Sequence, residues 1–171
     1  LPADSVAVSK LTWIIAQQYG PFYMRMCRSK TPIIHNDSQE FQVGKAITMR
    51  EGSDCTIAAC GITVKMALDA ANLLNQDGIS CRVIDCFSIK PIDKELLEKA
   101  ARETGAIVTC EEHNVMGGFG SAVSEVVSES YPVPIRRIGV QDKFGESARD
   151  NEIAQLLEKH GITPINITKK V

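Results

Sequence analysis

The sequence predicts an α/β fold, namely a three-layer α/β/α sandwich with a mostly parallel five-stranded sheet and one antiparallel edge strand. Between residues 45 and 171, short apolar runs alternate with segments of helical period. Residues 55–60 are almost wholly apolar, as in a strand that is covered on both faces. Residues 106–123 read as a strand, a tight glycine turn and a helix. Such units, joined by right-handed crossovers, build parallel sheets.

Composition and charge narrow the classes of function. The 171 residues are 44% hydrophobic and 23% charged, which is ordinary for a globular chain with one good core. The net charge of -2 argues against nucleic acid as a main partner. No apolar run approaches the ~20 residues needed to cross a bilayer. The six cysteines lack C-x-x-C spacing, so we interpret them as small buried hydrophobic residues in a reducing cytosol.

The first 44 residues do not follow the alternating pattern. A helix is predicted to begin at an N-cap, Asp4 or Ser5, and to end at Gly20. Residues 22–27 read as a strand, and residues 31–44 carry no period and are interpreted as a linker. One helix and one strand cannot form a domain of their own. They look like the end of a larger unit whose start is missing.

The remaining residues predict five strands and five helices in alternation. The predicted strands are residues 45–50 at one edge, then 55–60, 81–87, 106–113 and 134–140. The predicted helices begin at the caps Thr63 and Asp93, after the glycine turn, at Glu152, and at the cap Thr163 with Pro164 in the first turn. Gly78 and Gly105 are expected to end the first two of these helices.

The glycine turn is the first candidate for chemistry. Gly117, Gly118 and Gly120 precede a helix N-terminus, which attracts anions. The spacing is not G-x-G-x-x-G, however. Arg136 and Arg137 stand roughly 20 residues on, where a ribose-binding acid is expected. Close packing of helix on strand is therefore favoured over phosphate binding.

Three polar residues, Glu111, Glu112 and His113, end the strand before this turn, at the edge where α/β folds bind ligands. Adjacent carboxylates on a strand point to opposite sides, so they do not form a paired acid and base. We retain Glu112 and His113, with the three glycines, as a candidate ligand or interface turn. His35 and His160 have no neighbouring pattern that indicates a metal. The residues alone predict an α/β domain without an evident active site.

Several motifs together resemble one known family. They are Asp54–Gly61, Arg82–Asp85, Ile89–Asp93, Glu111–His113 with Gly117–Val123, and Asp142–Ser147. They strongly resemble the C-terminal domain of transketolases, and deoxyxylulose-phosphate synthases and the β subunits of 2-oxo-acid dehydrogenases have a similar domain. Residues 45–171 correspond to this domain, whereas residues 1–30 resemble the last helix and strand of the preceding pyrimidine-binding domain.

The resemblance implies a cytoplasmic transferase of the pentose phosphate pathway that moves a two-carbon ketol unit between sugar phosphates. Thiamine diphosphate and Mg²⁺ would lie between an N-terminal domain and the pyrimidine domain of the dimer mate. The metal motif and the activating glutamate are absent from this sequence. We therefore expect this chain to bind neither cofactor and to be inactive alone. Its expected partners are a homodimer mate, the missing N-terminal domains or subunit, and sugar phosphates, without nucleic acid or membrane.

One functional position can be carried over from the family, namely Arg28, in the segment Cys27–Pro32. In the family, an arginine after this strand grips the substrate's phosphate, a task that suits a planar and always charged guanidinium. Two classes of function stay open. The first is a section of a transketolase or of a related enzyme that serves dimer assembly and substrate-phosphate binding. The second is a free-standing α/β ligand-binding or regulatory module that uses the glycine turn.

Overall fold

The computed structural model describes residues 1–171 and contains one mixed sheet of five strands. The strands are β1 (Ile47–Arg50), β2 (Cys55–Ala59), β3 (Cys81–Asp85), β4 (Ile107–Asn114) and β5 (Ile135–Val140). Their order in the sheet is β1-β3-β2-β4-β5. Strand β1 pairs antiparallel with β3, and all other pairs are parallel. The predicted fold class, with its antiparallel edge strand, is confirmed.

Helices cover both faces of the sheet. They are α1 (Ser5–Ala16), α2 (Thr63–Gln76), α3 (Lys94–Thr104), α4 (Phe119–Ser130), α5 (Ile153–Lys159) and α6 (Pro164–Thr168). Helices α2 and α6 pack on one face through residues such as Val64 and Ile167, and α3 and α4 pack on the other through Leu97 and Val123. Strands β2 and β3 are buried along their whole length because both of their faces are covered.

Most of the predicted capping residues lie at the ends of their helices. Asp93 Oδ1 accepts from Leu96 N at 3.1 Å, and Gly105 ends α3 with a φ of 68°. Thr163 Oγ1 accepts from Asn166 N at 3.2 Å, with Pro164 in the first turn. Thr63 is not a cap, however. Its hydroxyl lies 2.8 Å from the carbonyl oxygens of both Cys60 and Cys110 and can donate to either, and Ile62 takes the cap position instead.

The structure corrects two expectations for the first residues. Helix α1 ends at Ala16 rather than at Gly20. Residues 22–27 form no strand, because a strand needs a hydrogen-bonded neighbour and every strand of the sheet lies at or beyond Ile47. Residues 17–46 contain no helix or strand.

Helix α1 nevertheless packs on the rest of the molecule. Asp4 is its N-cap, with Oδ1 accepting from Ala7 N at 2.9 Å. Ala7 and Leu11 are buried against Phe87, just beyond the end of β3. We call residues 1–44 the leader below. This contact places the leader over the carboxyl end of the sheet.

The segment before α5 also differs from prediction. A 3₁₀ turn, Asp150–Glu152, precedes the helix, so α5 begins at Ile153 instead of Glu152. Leu156 and Leu157 are only half-buried, since α5 lies at the margin of the core. No helix of the chain has both the length and the apolarity to span a bilayer.

Candidate functional site

A broad cavity lies at the carboxyl end of the sheet, between the leader and the glycine turn. It has a volume of about 800 Å³. Apolar side chains that line it include Leu11, Phe87 and Phe119, and charged ones include Arg25, Lys90 and Glu111. Open α/β sheets bind ligands at this edge, which makes the cavity the first place to look for chemistry.

Glu111, near the carboxyl end of β4, occupies the N-terminus of α4. Its Oε2 accepts from Phe119 N at 2.6 Å, and its Oε1 accepts from Gly120 N at 2.8 Å. The residue is buried, and this burial raises the pKa of its carboxyl group, although the Gly120 and Phe119 amides oppose the rise. The chain's own carboxylate therefore takes the amides that would otherwise bind an external anion.

The glycines of the turn allow this approach. A Cβ at Gly118 would lie 2.1 Å from Glu111 Oε2 and 2.2 Å from Asn114 O. A Cβ at Gly120 would lie 2.5 Å from Thr109 Oγ1. Gly117 has a φ of 73°, which side chains rarely adopt, but it has open space around it. The turn is built for close packing of α4 on β4.

Glu112 points to a different partner from Glu111, as alternation along a strand predicts. Its Oε1 lies 3.3 Å from Arg25 Nη2 in the leader. Burial raises the pKa of Glu112, and the charge of Arg25 opposes the rise. His113 is exposed at the rim of the cavity, with Nδ1 3.2 Å from Asn114 O. Glu112 thus joins the leader to β4, and His113 faces solvent.

Arg28 does not line the cavity and contacts the segment that follows β5. Its guanidinium donates from Nε to Asp150 Oδ1 at 3.0 Å and from Nη2 to Ala148 O at 3.0 Å. Nη2 also lies 2.8 Å from Asp150 Oδ1, and 70% of the Arg28 side chain is exposed to solvent. Arg28 therefore makes no hydrogen bond or ion pair to the other candidate site residues, and its guanidinium is accessible.

A buried ionic cluster links the leader to β3, and sequence reasoning missed it. His35 Nδ1 lies 3.1 Å from Asp4 Oδ2, and His35 Nε2 lies 3.3 Å from Asp85 Oδ2, with no exposed side-chain surface on any of the three. Asp4 also accepts from the backbone amides of Ala7, Ile34 and His35. No local pattern could reveal a cluster whose members are brought together only by the tertiary fold.

The three members of this cluster have shifted pKa values. Burial alone would lower the pKa of His35, but Asp85 and Asp4 outweigh it and raise that pKa above its ordinary value. Burial raises the pKa of Asp85, and His35 only partly offsets this. Burial opposes ionisation of Asp4, yet its backbone hydrogen bonds lower the pKa of that carboxyl. The two carboxyl groups therefore favour the protonated form of the imidazole that lies between them.

The cysteines form no disulfide. All six are free, and five of them are buried. Burial raises the pKa of the Cys55 thiol to about 12, so this thiol is a poor nucleophile at neutral pH. The interpretation of the cysteines as small hydrophobic residues is consistent with this geometry.

The residues present do not fit a thiamine diphosphate and Mg²⁺ site. No group of three or more His, Cys, Asp or Glu side chains is arranged to hold a metal ion. The one helix N-terminus in the glycine turn is already bonded to Glu111. A diphosphate group would have to displace this buried carboxylate.

Comparison with known proteins identifies the family of this chain. The sequence model of the family described as "Transketolase, C-terminal domain" matches residues 44–167, which include the whole sheet, helices α2 to α5 and all but the last residue of α6. The chain belongs to this family. The resemblance of its motifs to the transketolase C-terminal domain is therefore confirmed.

The relatives of this transketolase-family chain include separate subunits. One subunit of the apulose-4-phosphate transketolase of Phocaeicola vulgatus is 42% identical over 99% of the chain and 56% of that protein. A 6-deoxy-6-sulfo-D-fructose transketolase subunit of a Clostridium species is 41% identical over 98% of the chain and 51% of that protein. The chain thus spans about half the length of these curated relatives.

A solved structure has the same fold. It is described as a split-gene transketolase in an inactive beta4 tetramer, and it is 45% identical to this chain with a TM-score of 0.93. The similarity covers 98% of this chain and 54% of that one. It therefore includes the leader as well as the C-terminal domain.

Proposed function

We propose that this chain is the C-terminal section of a transketolase that transfers a two-carbon ketol unit between sugar phosphates. The observation that carries the proposal is the match of almost the whole chain, leader included, to a split-gene transketolase at 45% identity. The family implies thiamine diphosphate in the complete enzyme. In this proposal the cofactor and Mg²⁺ are held by the other domains or by a partner protein, in the cytoplasm, and the chain is inactive alone.

The first role that we propose for the chain is assembly with the dimer mate and the N-terminal part of the enzyme. The leader carries large apolar side chains that are exposed, namely Trp13, Tyr19, Tyr23, Met26 and Ile33. Apolar surface of this kind favours protein contacts, because burying it removes it from water. In this proposal Glu112 and His113 lie beside the assembly contact, with the glycine turn as its rigid support.

The second role is to bind the phosphate group of the substrate through Arg28. The guanidinium is exposed and its only ionic partner is Asp150, so a phosphate dianion can reach it. A guanidinium forms two parallel charge-assisted hydrogen bonds to a phosphate. Such a contact acts on the phosphate, remote from the carbon atoms that react, so it should favour phosphorylated substrates only.

The experiment uses the assembled enzyme, made by combining this chain with the part that carries the cofactor site. Ketol transfer is measured with the phosphorylated acceptors and with the non-phosphorylated donor hydroxypyruvate. Arg28→Ala should lower kcat/KM for phosphorylated substrates by about ten- to a hundredfold, which corresponds to roughly 1.5–3 kcal/mol for a hydrogen bond to a charged group. The value of kcat/KM for hydroxypyruvate should be nearly unaffected. Arg28→Lys should recover only part of the loss, because an ammonium lacks the fork.

Arg25→Ala is the matched control, since it removes the same charge from a side chain that faces Glu112 instead. Any loss from this control should be the same for both kinds of substrate. If Arg28→Ala lowered kcat/KM equally for phosphorylated substrates and for hydroxypyruvate, then Arg28 would maintain structure instead of binding phosphate. An assembled enzyme without ketol transfer would contradict the proposed function itself.

A further inference from the structure

Arg28 is engaged by oxygens of the chain itself. Asp150 Oδ1 lies 3.0 Å from Nε and 2.8 Å from Nη2 of the guanidinium. Ala148 O accepts a further hydrogen bond from Nη2. One edge of the guanidinium is therefore occupied by oxygens of the segment that follows β5.

These contacts resemble those that a phosphate group would make. A phosphate offers oxygens to the guanidinium fork, as the Asp150 carboxylate does here. One edge of the guanidinium cannot bind the Asp150 carboxylate and a phosphate at the same time. The negative charge of Asp150 also repels a phosphate dianion that approaches another edge of Arg28. Asp150 and a phosphate are therefore competitors for one guanidinium.

We propose that Asp150 is a specificity-determining residue that weakens the binding of phosphorylated substrates by occupying Arg28 until the phosphate displaces it. The inference rests on the proposed function, in which Arg28 binds that phosphate. Asp150 makes no contact with substrate carbon atoms in this role. It acts through Arg28 and sets how strongly the phosphate contributes to affinity.

The pair is suited to exchange because it is exposed. The Arg28 and Asp150 side chains are 70% and 71% exposed, so water can solvate both groups when they part. The 3₁₀ turn that begins at Asp150 does not depend on Arg28, since Arg149 N donates to Glu152 Oε2 at 2.8 Å. Releasing Asp150 from Arg28 therefore breaks the ion pair without breaking this turn.

The test is Asp150→Asn in the assembled enzyme. The variant should lower KM for phosphorylated substrates by about two- to fivefold, the range expected from an exposed ion pair, with kcat unchanged. KM for hydroxypyruvate should stay the same. In an Arg28→Ala background, Asp150→Asn should have no effect, because the guanidinium for which the two groups compete is gone.

Glu146→Gln is the matched control. It removes one carboxylate from the same segment, but Glu146 pairs with Lys159 and does not contact Arg28. The control should leave every KM unchanged, and an equal fall in both variants would assign the effect to general charge and overturn the inference. A KM that is unchanged or raised in Asp150→Asn would also overturn it, and a rise would mean that Asp150 positions Arg28.

A second measurement uses inorganic phosphate and the ¹⁵N-labelled chain. The arginine Nε–Hε signal of Arg28 should shift on titration, with a dissociation constant about two- to fivefold lower in Asp150→Asn than in the wild type. Equal constants would overturn the inference and leave the proposed function standing. Arg28→Ala could leave unchanged both kcat/KM for phosphorylated substrates and the dissociation constant for phosphate. The proposed phosphate-binding role of Arg28 would then be wrong, and with it the role of Asp150.

Discussion

Replacing His35 by glutamine should destabilise the whole chain. His35 lies between Asp4 and Asp85 with no exposed side-chain surface, and neither carboxyl oxygen of Asp85 has any other hydrogen-bond partner. His35→Gln keeps a polar amide of similar reach but cannot carry a positive charge. Loss of one partner from a buried ionic cluster costs roughly 3–5 kcal/mol, because the remaining charge stays buried without compensation.

The size of the effect should depend on pH. His35 has a raised pKa in the folded chain, so its contribution is complete below its unfolded value of 6.5 and is lost as pH rises through the folded value. Asp85 also has a raised pKa, and the stability linked to its protonation is likewise lost as pH rises above 3.8. Asp4 has a lowered pKa, so its contribution is present above 3.8 and is lost as pH falls below it. The cluster should stabilise the chain most in mildly acidic solution.

The assay is thermal or urea unfolding of the full chain at several pH values, from about 6 to about 9. At the acidic end, His35→Gln should lower Tm by roughly 6–12 °C, if each kcal/mol corresponds to about 2–4 °C at this chain length and the loss is about 3 kcal/mol. The difference from the wild type should shrink toward the basic end, where the wild-type imidazole becomes neutral. Asp85→Asn should restore part of the loss when it is combined with His35→Gln.

A constant difference across this pH range would refute the reasoning. It would mean that His35 contributes only packing, for instance through its edge contact with Phe41, whose ring centroid is 5.1 Å away. A combined variant no more stable than His35→Gln alone would also contradict the assignment, since Asp85 would then not be the uncompensated charge.

Two further variants test the glycine turn. Gly118→Ala should lower the free energy of unfolding, measured by urea titration, by about 2–4 kcal/mol, because the new Cβ would overlap the Glu111 carboxylate and the Asn114 carbonyl. Gly145→Ala is the control and should have almost no effect, because Gly145 lies in open space. Glu111→Gln should cost about 1–3 kcal/mol, since the amide group has one acceptor oxygen for the two backbone amides that Glu111 now satisfies. Stabilities equal to the wild type would show that the turn does not depend on this contact.

The alternating strands and helices of residues 45–171 were predictable because local pattern and tertiary position agree there. Strand β2 is apolar throughout and is buried throughout, and α3 begins at Asp93 and ends at Gly105 as those residues indicate. The predicted strand at residues 22–27 was wrong for a related reason. The segment is indeed mostly apolar, but a strand exists only where another strand pairs with it.

The candidate site was less predictable, because its contacts join residues that are distant in sequence. Arg28 and Asp150 are separated by 122 positions, and His35 reaches both Asp4 and Asp85. The spacing of the glycine turn, in contrast, favoured close packing over phosphate binding, and the close approaches at Gly118 and Gly120 are consistent with that interpretation. The identity of the anion at its helix, Glu111, required the structure.

This occupied turn bears on where the chain can meet a substrate. The partial positive charge at the N-terminus of α4 is neutralised by a buried carboxylate that no ligand can replace without a large cost. Arg28, in contrast, is exposed and held by a solvated ion pair and one hydrogen bond to Ala148 O, which a dianion can exchange. Arg28 lies in the leader, outside residues 44–167 that match the domain family. The substrate-phosphate contact that we propose therefore depends on the leader, and the C-terminal domain positions Asp150 as its competitor.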